Sequence, residues 1–349
     1  MSPNNAVLLS NRAFAHVRLE NYGSAIADAS SAVESDPNYI KAYYRRGTSQ
    51  YALGHLADAL KDFKTVCRMQ PQDRDGRLKL KECENALRKK RFEEAIAAPE
   101  DELVKISDTV DVDAMVIDST YDGAHLGDDK VITQAFVEDM IARFKDQKTL
   151  AFKYAFESLM QSKAILEALP TLVDVPVPEG THFTVCGDVH GQFFDMCNIF
   201  DLNGHPSASN PYLFNGDFVD RGSYSTEVIM TLLAYKCMDP SCVHLVRGNH
   251  ETAAMNKMYG FDGEVKAKYS VKLADLFQEV FQYLPLAIVL GEKVFVVHGG
   301  LFSRDGVTLD DLRKIDRFHE PPDSGEFCEM LWSDCLLYTS DAADDVRCV

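Results

Sequence analysis

Four short apolar runs divide the second half of the chain, and each is rich in β-branched or aromatic residues. The runs cover residues 183–186, 212–214, 243–246 and 294–297. A turn that contains glycine follows each run, and short apolar runs with such boundaries are typical of buried strands. We therefore predict four buried strands, each of which ends in a polar loop.

Two other stretches carry apolar residues at the spacing of helices. Between residues 131 and 170 aromatic and aliphatic residues recur every three or four positions, which predicts helices that pack beside the strands. Residues 75–97 predict one long helix, and its apolar side is expected to contain Leu78, Leu80 and Leu87.

The first 97 residues also repeat. Pro37 and Pro71 are 34 residues apart, and a period of 34 is typical of tetratricopeptide repeats. Other residues at this offset match in size or charge: Ala13 with Gly47, Leu19 with Leu53, Ala25 with Ala59, and Asp28 with Asp62. We predict a tetratricopeptide domain over residues 1–97, with two complete repeats and a capping helix. The first five residues resemble the tail of a preceding repeat, so we expect a chain that is truncated at its start.

Composition narrows the possible functions. The chain has 349 residues, a formal net charge of −18 and a pI near 4.9, which argues against general nucleic-acid binding. Its nine cysteines show no C-x-x-C pairing, so we expect reduced thiols and a location in the cytosol or the nucleus. We expect no membrane span, because no apolar run approaches the roughly 18 residues that one needs.

Residues 98–130 are acidic and carry few helix signals. This composition predicts a solvated linker between the repeats and a second domain. An acidic segment can also mimic phosphate and occupy a cationic active site, and the sequence leaves that alternative open.

Candidate metal ligands lie in the loops that follow the four predicted strands. The loops contain GDVHGQ at 187–192, GDFVDRG at 216–222, RGNHE at 247–251 and HGG at 298–300. In α/β sheets the ligand crevice lies beyond the carboxyl ends of the strands, so we expect these loops to meet. The candidate ligands offer oxygen and nitrogen but no thiolate, which suits Mn, Fe or Zn: Asp188, His190, Asp217, Asn249 and His298. One carboxylate among them can bridge two divalent metal ions.

These four motifs, in this order, resemble the metallophosphoesterase signature in its serine/threonine phosphoprotein phosphatase form. The resemblance implies an α + α/β fold class, in which the helical repeats precede a metallophosphoesterase β-sandwich flanked by helices. The catalytic domain is expected over residues 131–334 and incomplete at its carboxyl end. The implied reaction is hydrolysis of phosphoserine or phosphothreonine by water that two divalent metal ions activate.

The resemblance also assigns roles to individual residues. Asp188, His190 and Asp217 would bind one metal ion, whereas Asp217, Asn249 and His298 would bind the second. His250, held by Asp220, would protonate the leaving group. The implied contacts to the phosphate come from Arg221, Asn249, His250 and His190. The sequence leaves Arg247 open between packing and phosphate binding.

Polar and cationic residues recur on the first helix of each repeat: Asn11, Arg18, Lys41 and Arg45. Lys41 and Arg45 are four residues apart, so they share one face of a helix. The positions resemble the carboxylate clamp of tetratricopeptide domains that bind the acidic C-terminal tails of cytosolic heat-shock chaperones. A plain solvated helix face is the alternative.

The resemblance ends at Asp334, and residues 335–349 show neither strand alternation nor a family motif. We expect this tail to be foreign sequence, with alternative splicing as the rival explanation. We also expect the last metal ligand to be missing, which predicts little phosphatase activity. Two alternatives follow: a peptide-binding module with an inactive phosphatase half, or a nucleotide-type metallophosphoesterase. The repeats argue against the latter, since a small-molecule hydrolase has little use for a peptide-binding arm.

Overall fold

The structure is a computed structural model that describes residues 5–19, 22–96, 105–178 and 180–333, with the backbone alone for residues 89–96. These residues form two compact units, and the chain passes from one to the other between residues 96 and 105. The prediction for residues 335–349 lies outside the described residues.

The first unit is an array of antiparallel helices. Its helices are α1 (Ala6–Arg18), α2 (Tyr22–Ser35), α3 (Ile40–Ala52), α4 (Leu56–Met69) and α5 (Arg74–Ile96). Small residues let these helices approach closely. A side chain at Gly47 would place its Cβ 3.1 Å from Asp62 and 3.2 Å from Phe63, and Ala13, at the same place in the first repeat, is fully buried. The tetratricopeptide fold predicted from the 34-residue offset is confirmed.

Two ion pairs repeat at the same offset. Arg12 binds Asp28 through two hydrogen bonds of 2.6 Å, and Arg46 binds Asp62 through two of 2.8 and 2.9 Å. Both carboxylates are buried, so each needs its arginine partner. Each pair ties the first helix of a repeat to the second helix of the same repeat.

The prediction that Leu78, Leu80 and Leu87 share the apolar side of α5 is partly wrong. Leu80 and Leu87 are half-buried, and Cys83 between them is fully buried, but Leu78 is 56% exposed. Residues two apart on a helix point in nearly opposite directions, so Leu78 cannot share the face that Leu80 buries.

The second unit contains two three-stranded sheets that pack face to face. The strands are β1 (Leu172–Val175), β2 (Thr184–Cys186), β3 (Tyr212–Asn215), β4 (Val243–Val246), β5 (Ala287–Leu290) and β6 (Val294–Val297). One sheet is parallel with the order β2-β3-β4, and the other has the order β1-β5-β6 with β5 and β6 antiparallel. Leu213 and Val246 of the first sheet form a buried cluster with Ile288 of the second, as expected for a sandwich.

The four predicted strands are present, but two of them are not buried. Val185 in β2 is 51% exposed and Val294 in β6 is 54% exposed. Both strands lie at the edge of their sheet among the described residues, which leaves one side uncovered. Strands β1 and β5 were not predicted, because no polar motif follows them.

Ten helices complete the second unit within residues 105–333. They are α6 (Ile106–Thr109), α7 (Gln134–Lys145), α8 (Phe152–Glu167), α9 (Phe193–Asn203), α10 (Ser225–Met238), α11 (Ala253–Tyr259), α12 (Phe261–Lys268), α13 (Val271–Gln282), α14 (Leu309–Arg313) and α15 (Glu326–Trp332). Residues Ser225 to Lys236 of α10 are all buried, since this helix packs with α7 and α8 and the β2-β3-β4 sheet in one large core. The described helices include none that is long and apolar enough to cross a membrane.

The prediction of a solvated linker over residues 98–130 is wrong after residue 105, where the chain packs against the second unit. Val112 is 8% exposed and belongs to the core of the second unit, with Ile106 and Met115 packed against it. Glu279 accepts the backbone N–H of Ile106, and Lys163 donates to Ser107 Oγ at 2.5 Å. The sequence did not predict these contacts, because acidic residues outnumber the few apolar residues that pack on the core. Residues 98–104 lie outside the described ranges.

Candidate metal centre

Four loops meet at the carboxyl ends of β2, β3, β4 and β6. Asn215 connects the two sheets there, since its Nδ2 donates to Val297 O at 3.1 Å. Glycine is required at the closest approach: Gly216 has φ +83°, and a Cβ there would lie 2.6 Å from Gly248 Cα and 2.7 Å from His298 Nδ1. The motifs predicted to converge are therefore side by side.

Four residues of these loops adopt a left-handed backbone although none is glycine. The φ angles are +44° at His190, +51° at Asp217, +71° at Asp220 and +65° at Arg221. Each such residue costs on the order of 1–3 kcal/mol and persists only where its surroundings hold it. Such strain is concentrated at functional sites.

The two candidate imidazole ligands have defined tautomers. His190 Nδ1 lies 2.9 Å from Val219 O, and His298 Nδ1 lies 2.7 Å from Asn215 O. A carbonyl oxygen can only accept, so both Nδ1 atoms carry a proton, and in the neutral rings both Nε2 atoms present a lone pair. These lone pairs face Asp217, at 3.5 Å from His190 and 3.4 Å from His298.

Asp217 lies between the two groups of ligands. Its carboxylate belongs both to a group with His190 and His250 and to a group with Asp188 and His298, and within each group the ligand atoms lie within 4.8 Å of one another. A carboxylate shared in this way is suited to bridge two cations.

Asn249 completes the second group. Its Oδ1 lies 2.9 Å from His298 Nε2 and about 3 Å from both carboxylate oxygens of Asp217, so acceptors surround an acceptor when His298 is neutral. A rotation of the amide would remove this conflict, and so would a bound cation. Rotation of the amide would leave Asp188 and His190 without a role, whereas a bound cation would also have them as ligands. The residues present therefore fit a divalent metal ion.

The electrostatics of the site favour positive charge beside Asp217. Burial alone would lower the pKa of His298, but the Asp217 carboxylate outweighs burial and raises that pKa. Burial raises the pKa of Asp217, yet His298 and His250 bring it well below its usual range. A negative charge that is 4% exposed needs a proton or a metal ion close by.

A second buried pair lies next to this centre. His250 Nδ1 is 2.9 Å from Asp220 Oδ2, and the His250 backbone N–H donates to Asp217 Oδ1 at 3.0 Å. The His250 ring is 4.7 Å from the His190 ring, and its Nε2 is 3.4 Å from Arg221 Nη2. Since Arg221 is exposed while Asp220 is fully buried, the site presents a cation and an imidazole nitrogen to an anion.

Glu251 also belongs to this site, although the sequence motifs did not assign it a role. Glu251 is fully buried and accepts the backbone N–H groups of Asp217, Phe218 and Gly248 at 2.8, 2.8 and 2.9 Å. Burial, and next the charge of Asp217, raise the pKa of Glu251 above its usual value. Its place at the end of RGNHE was the only signal in the sequence.

Arg247 packs rather than facing the metal centre. It is fully buried, and its guanidinium donates to Glu251 O at 3.0 Å and to His319 O at 2.9 Å. These contacts favour the packing alternative over phosphate binding.

In the helical unit, Asn11 and Arg45 lie together. Arg45 Nη1 donates to Ser10 Oγ at 2.7 Å and to Asn11 Oδ1 at 3.3 Å. Lys41 is exposed one turn before Arg45. Arg18 is also exposed, but seven residues beyond Asn11 on α1, which is about 10 Å along the helix axis. The peptide-binding roles of all four remain a prediction.

Three family models match the chain in succession. The tetratricopeptide repeat model matches residues 11–74 and 44–110, the PPP5 TPR repeat region matches residues 80–174, and the calcineurin-like phosphoesterase model matches residues 181–347. The fold class predicted from the motifs is therefore confirmed.

Individual proteins are similar over nearly the whole chain. Human serine/threonine-protein phosphatase 5 is 51% identical over 334 residues, which is 96% of this chain and 66% of the human protein. The Arabidopsis thaliana protein of the same name is 50% identical, over 96% of this chain and 72% of its own length. A solved structure of a protein serine/threonine phosphatase from Saccharomyces cerevisiae is 40% identical, with a TM-score of 0.56 over 57% of this chain and 64% of that chain. The chain thus spans about two-thirds of the length of the human relative.

Proposed function

The chain belongs to the family of serine/threonine-protein phosphatases 5 and T, and on that premise we propose that its second unit hydrolyses phosphoserine and phosphothreonine in proteins. The observation that carries this proposal is the position of Asp217, whose carboxylate is shared between two groups of potential ligands, one of which includes His250 of the His250–Asp220 pair. A shared carboxylate next to a potential proton donor is the arrangement that a two-metal phosphoester hydrolase needs.

The family implies divalent metal ions, and we propose two. Asp188, His190 and Asp217 would hold one, and Asp217, Asn249 and His298 would help to hold the other. When bound, the ions supply positive charge and acidify water. The ligand set is compatible with Mn, Fe or Zn.

The chain's own residues bind and orient the substrate in this proposal. Arg221 is exposed beside the centre, and its planar guanidinium can bind two phosphate oxygens at once. Asn249 and His190 lie on either side of Asp217 and border the same space. As the bond between phosphorus and the serine or threonine oxygen breaks, His250 gives its Nε2 proton to that oxygen. Asp220 keeps Nδ1 protonated and stabilises the charged imidazole.

For the helical unit we propose binding of acidic C-terminal peptides from cytosolic heat-shock chaperones. Lys41, Arg45 and Asn11 support this proposal, because they place cationic and amide groups on the first helices of neighbouring repeats. All seven cysteines within the described residues are free, which is compatible with the cytosolic or nuclear location that we also propose.

The test is hydrolysis by the purified full chain supplied with Mn²⁺, which also checks the low activity that the sequence predicts. We expect phosphate release from a phosphoserine peptide to exceed release from ATP, and Asp217→Asn to abolish it. Preference for the nucleotide would favour a nucleotide-type phosphoesterase. Peptide binding with no metal-dependent hydrolysis of either substrate would leave only the binding module.

A further inference from the structure

Asn256 lies behind the His250–Asp220 pair and has no role in the function proposed so far. It is on α11 and fully buried. Its Nδ2 donates to Asp220 Oδ2 at 3.0 Å and to His250 O at 2.7 Å, so one amide contacts both members of the pair. Asp220 also accepts the backbone N–H of Phe261 at 2.9 Å through its other oxygen.

The orientation of the Asn256 amide is determined by its partners. A carboxylate and a carbonyl only accept, so the NH₂ group must face Asp220 and His250, and Oδ1 must face away. Gln278, on α13, donates its Nε2 to this Oδ1 at 2.9 Å. The hydrogen bonds therefore run in one direction, from Gln278 to Asn256 and from Asn256 to Asp220.

This arrangement determines what Asp220 offers to His250. With Asn256 donating to Oδ2 and the Phe261 N–H donating to Oδ1, the carboxylate cannot rotate, and Oδ2 has one lone pair left for the imidazole. That lone pair selects the tautomer of His250 with the proton on Nδ1. The second proton of the charged imidazole is then held by Nε2, on the side of Arg221 where the leaving group would lie.

We propose that Asn256 is a positioning residue for leaving-group protonation, oriented in turn by Gln278. The inference rests on the phosphatase function proposed above. It predicts that the rate lost on substitution of Asn256 depends on the leaving group of the substrate. Loss of metal or of folding would not produce such a dependence. A serine alkoxide must be protonated as it departs, whereas nitrophenolate is a stable anion and departs without a proton.

The experiment compares two substrates on the full chain with Mn²⁺: a phosphoserine peptide and p-nitrophenyl phosphate. For Asn256→Leu we expect kcat on the peptide to fall about 10- to 100-fold, which is part of the roughly 10²–10⁴-fold that general acid catalysis contributes, and kcat on the nitrophenyl ester to fall less than about 3-fold. KM should change little, since Asn256 does not face the phosphate. Gln278→Met should also lower kcat more on the peptide than on the nitrophenyl ester, but by a smaller factor. This variant keeps the proposal testable if Asn256→Leu does not fold.

Asn210→Leu is the matched control. The Asn210 amide also donates to backbone carbonyls, those of Asn203 and Gly204 at 3.0 and 3.1 Å, but in a loop that carries no ligand. This variant should affect both substrates equally. Equal losses on the two substrates in Asn256→Leu and Gln278→Met, or no loss in either, would overturn the proposal.

A spectroscopic readout separates this inference from the proposed function. If the unmodified chain hydrolyses neither substrate, the proposed function fails, but the tautomer of His250 still tests the positioning. In the Zn²⁺-loaded chain with ¹⁵N-labelled histidine, assigned through His250→Gln, we expect the Nδ1–H tautomer alone. Asn256→Leu should produce a mixture of both tautomers, and an unchanged single tautomer would refute the role of Asn256.

Discussion

The side chain of Glu251 binds the backbone nitrogen of Asp217 at 2.8 Å, so a buried carboxylate holds the loop of the proposed bridging ligand. Its two oxygens accept three N–H groups from the loops that carry Asp217 and Asn249. The loop after β3 and the loop after β4 are thereby joined at a place where no direct backbone pairing continues. The metal centre depends on a residue that is not itself a ligand.

Glu251→Gln should therefore weaken metal binding. An amide has one accepting oxygen, and its NH₂ group would face an N–H donor of the loops. Outer groups that orient ligands typically change metal affinity about 10- to 100-fold, and we expect a loss in that range. Bound Mn²⁺ measured by mass spectrometry across a series of free concentrations checks this. Glu292→Gln, at an exposed turn, is the control, and equal affinities of the two variants would refute the role of Glu251.

His250→Ala should slow hydrolysis of a phosphoserine peptide about 10²–10⁴-fold, because the leaving oxygen loses its proton donor. Metal content should stay the same, since the assigned ligands Asp188, His190 and Asp217 remain and His250 is assigned to proton donation. Steady-state kinetics and metal analysis on the same preparation check both statements. A rate within a few-fold of the unmodified chain would assign the proton donor elsewhere.

Lys41→Ala should weaken binding of a chaperone peptide that ends in a free carboxylate, more at low than at high salt. The loss should be about 0.5–1 kcal/mol, because Lys41 is exposed and water screens its charge. Calorimetric titration of the full chain measures it. Amidation of the peptide's carboxyl end should have the same effect as the substitution, and equal binding of free and amidated peptides would exclude the clamp.

The burial of Lys236 predicts that the free energy of unfolding depends on pH. Burial lowers the pKa of Lys236 to about 8, and the unfolded chain should have a value of about 10.4. Between these values the unfolded state binds more protons, so the cost of burying the charge is complete below pH 8 and disappears as the pH rises towards 10. Lys236→Met should thus raise the free energy of unfolding near pH 7 by about 1–2 kcal/mol, after loss of the bond to Pro240 O.

Urea unfolding of the full chain at pH 7 and pH 10 measures this effect, with the exposed Lys145→Met as the control. The advantage of Lys236→Met should be present at the lower pH and absent at the higher one. The same advantage at both values would show that the side chain's shape, and not its charge, is responsible.

The sequence could predict those site residues that are marked by a short local pattern. Asp188, Asp217 and Asn249 each follow an apolar run within a few residues and lie next to glycine, so local sequence was enough to bring them together. Glu251 acts on a backbone 34 residues away, and Asn256 on a carboxylate 36 residues away. No periodicity in the chain encodes such contacts.

The fold shows the same limit. The 34-residue offset identified the repeats, because each repeat uses the same contacts. Leu78 was placed on the wrong side of α5, since composition says little about the rotation of a helix. Val185 and Val294 are apolar but exposed, because edge strands and central strands have similar residue preferences. The acidic stretch after residue 105 was misjudged for the converse reason, since a few apolar anchors such as Val112 outweigh many solvated charges.

The paired arginines of the helical unit have a consequence for how such arrays change length. Arg12 and Asp28 belong to one repeat, and Arg46 and Asp62 to the next. A duplication or deletion of one whole repeat therefore adds or removes a complete ion pair. Insertion of a second copy of residues 38–71 should extend the array without an uncompensated buried carboxylate. Arrays built in this way can be lengthened in the laboratory, or in the course of evolution, one balanced module at a time.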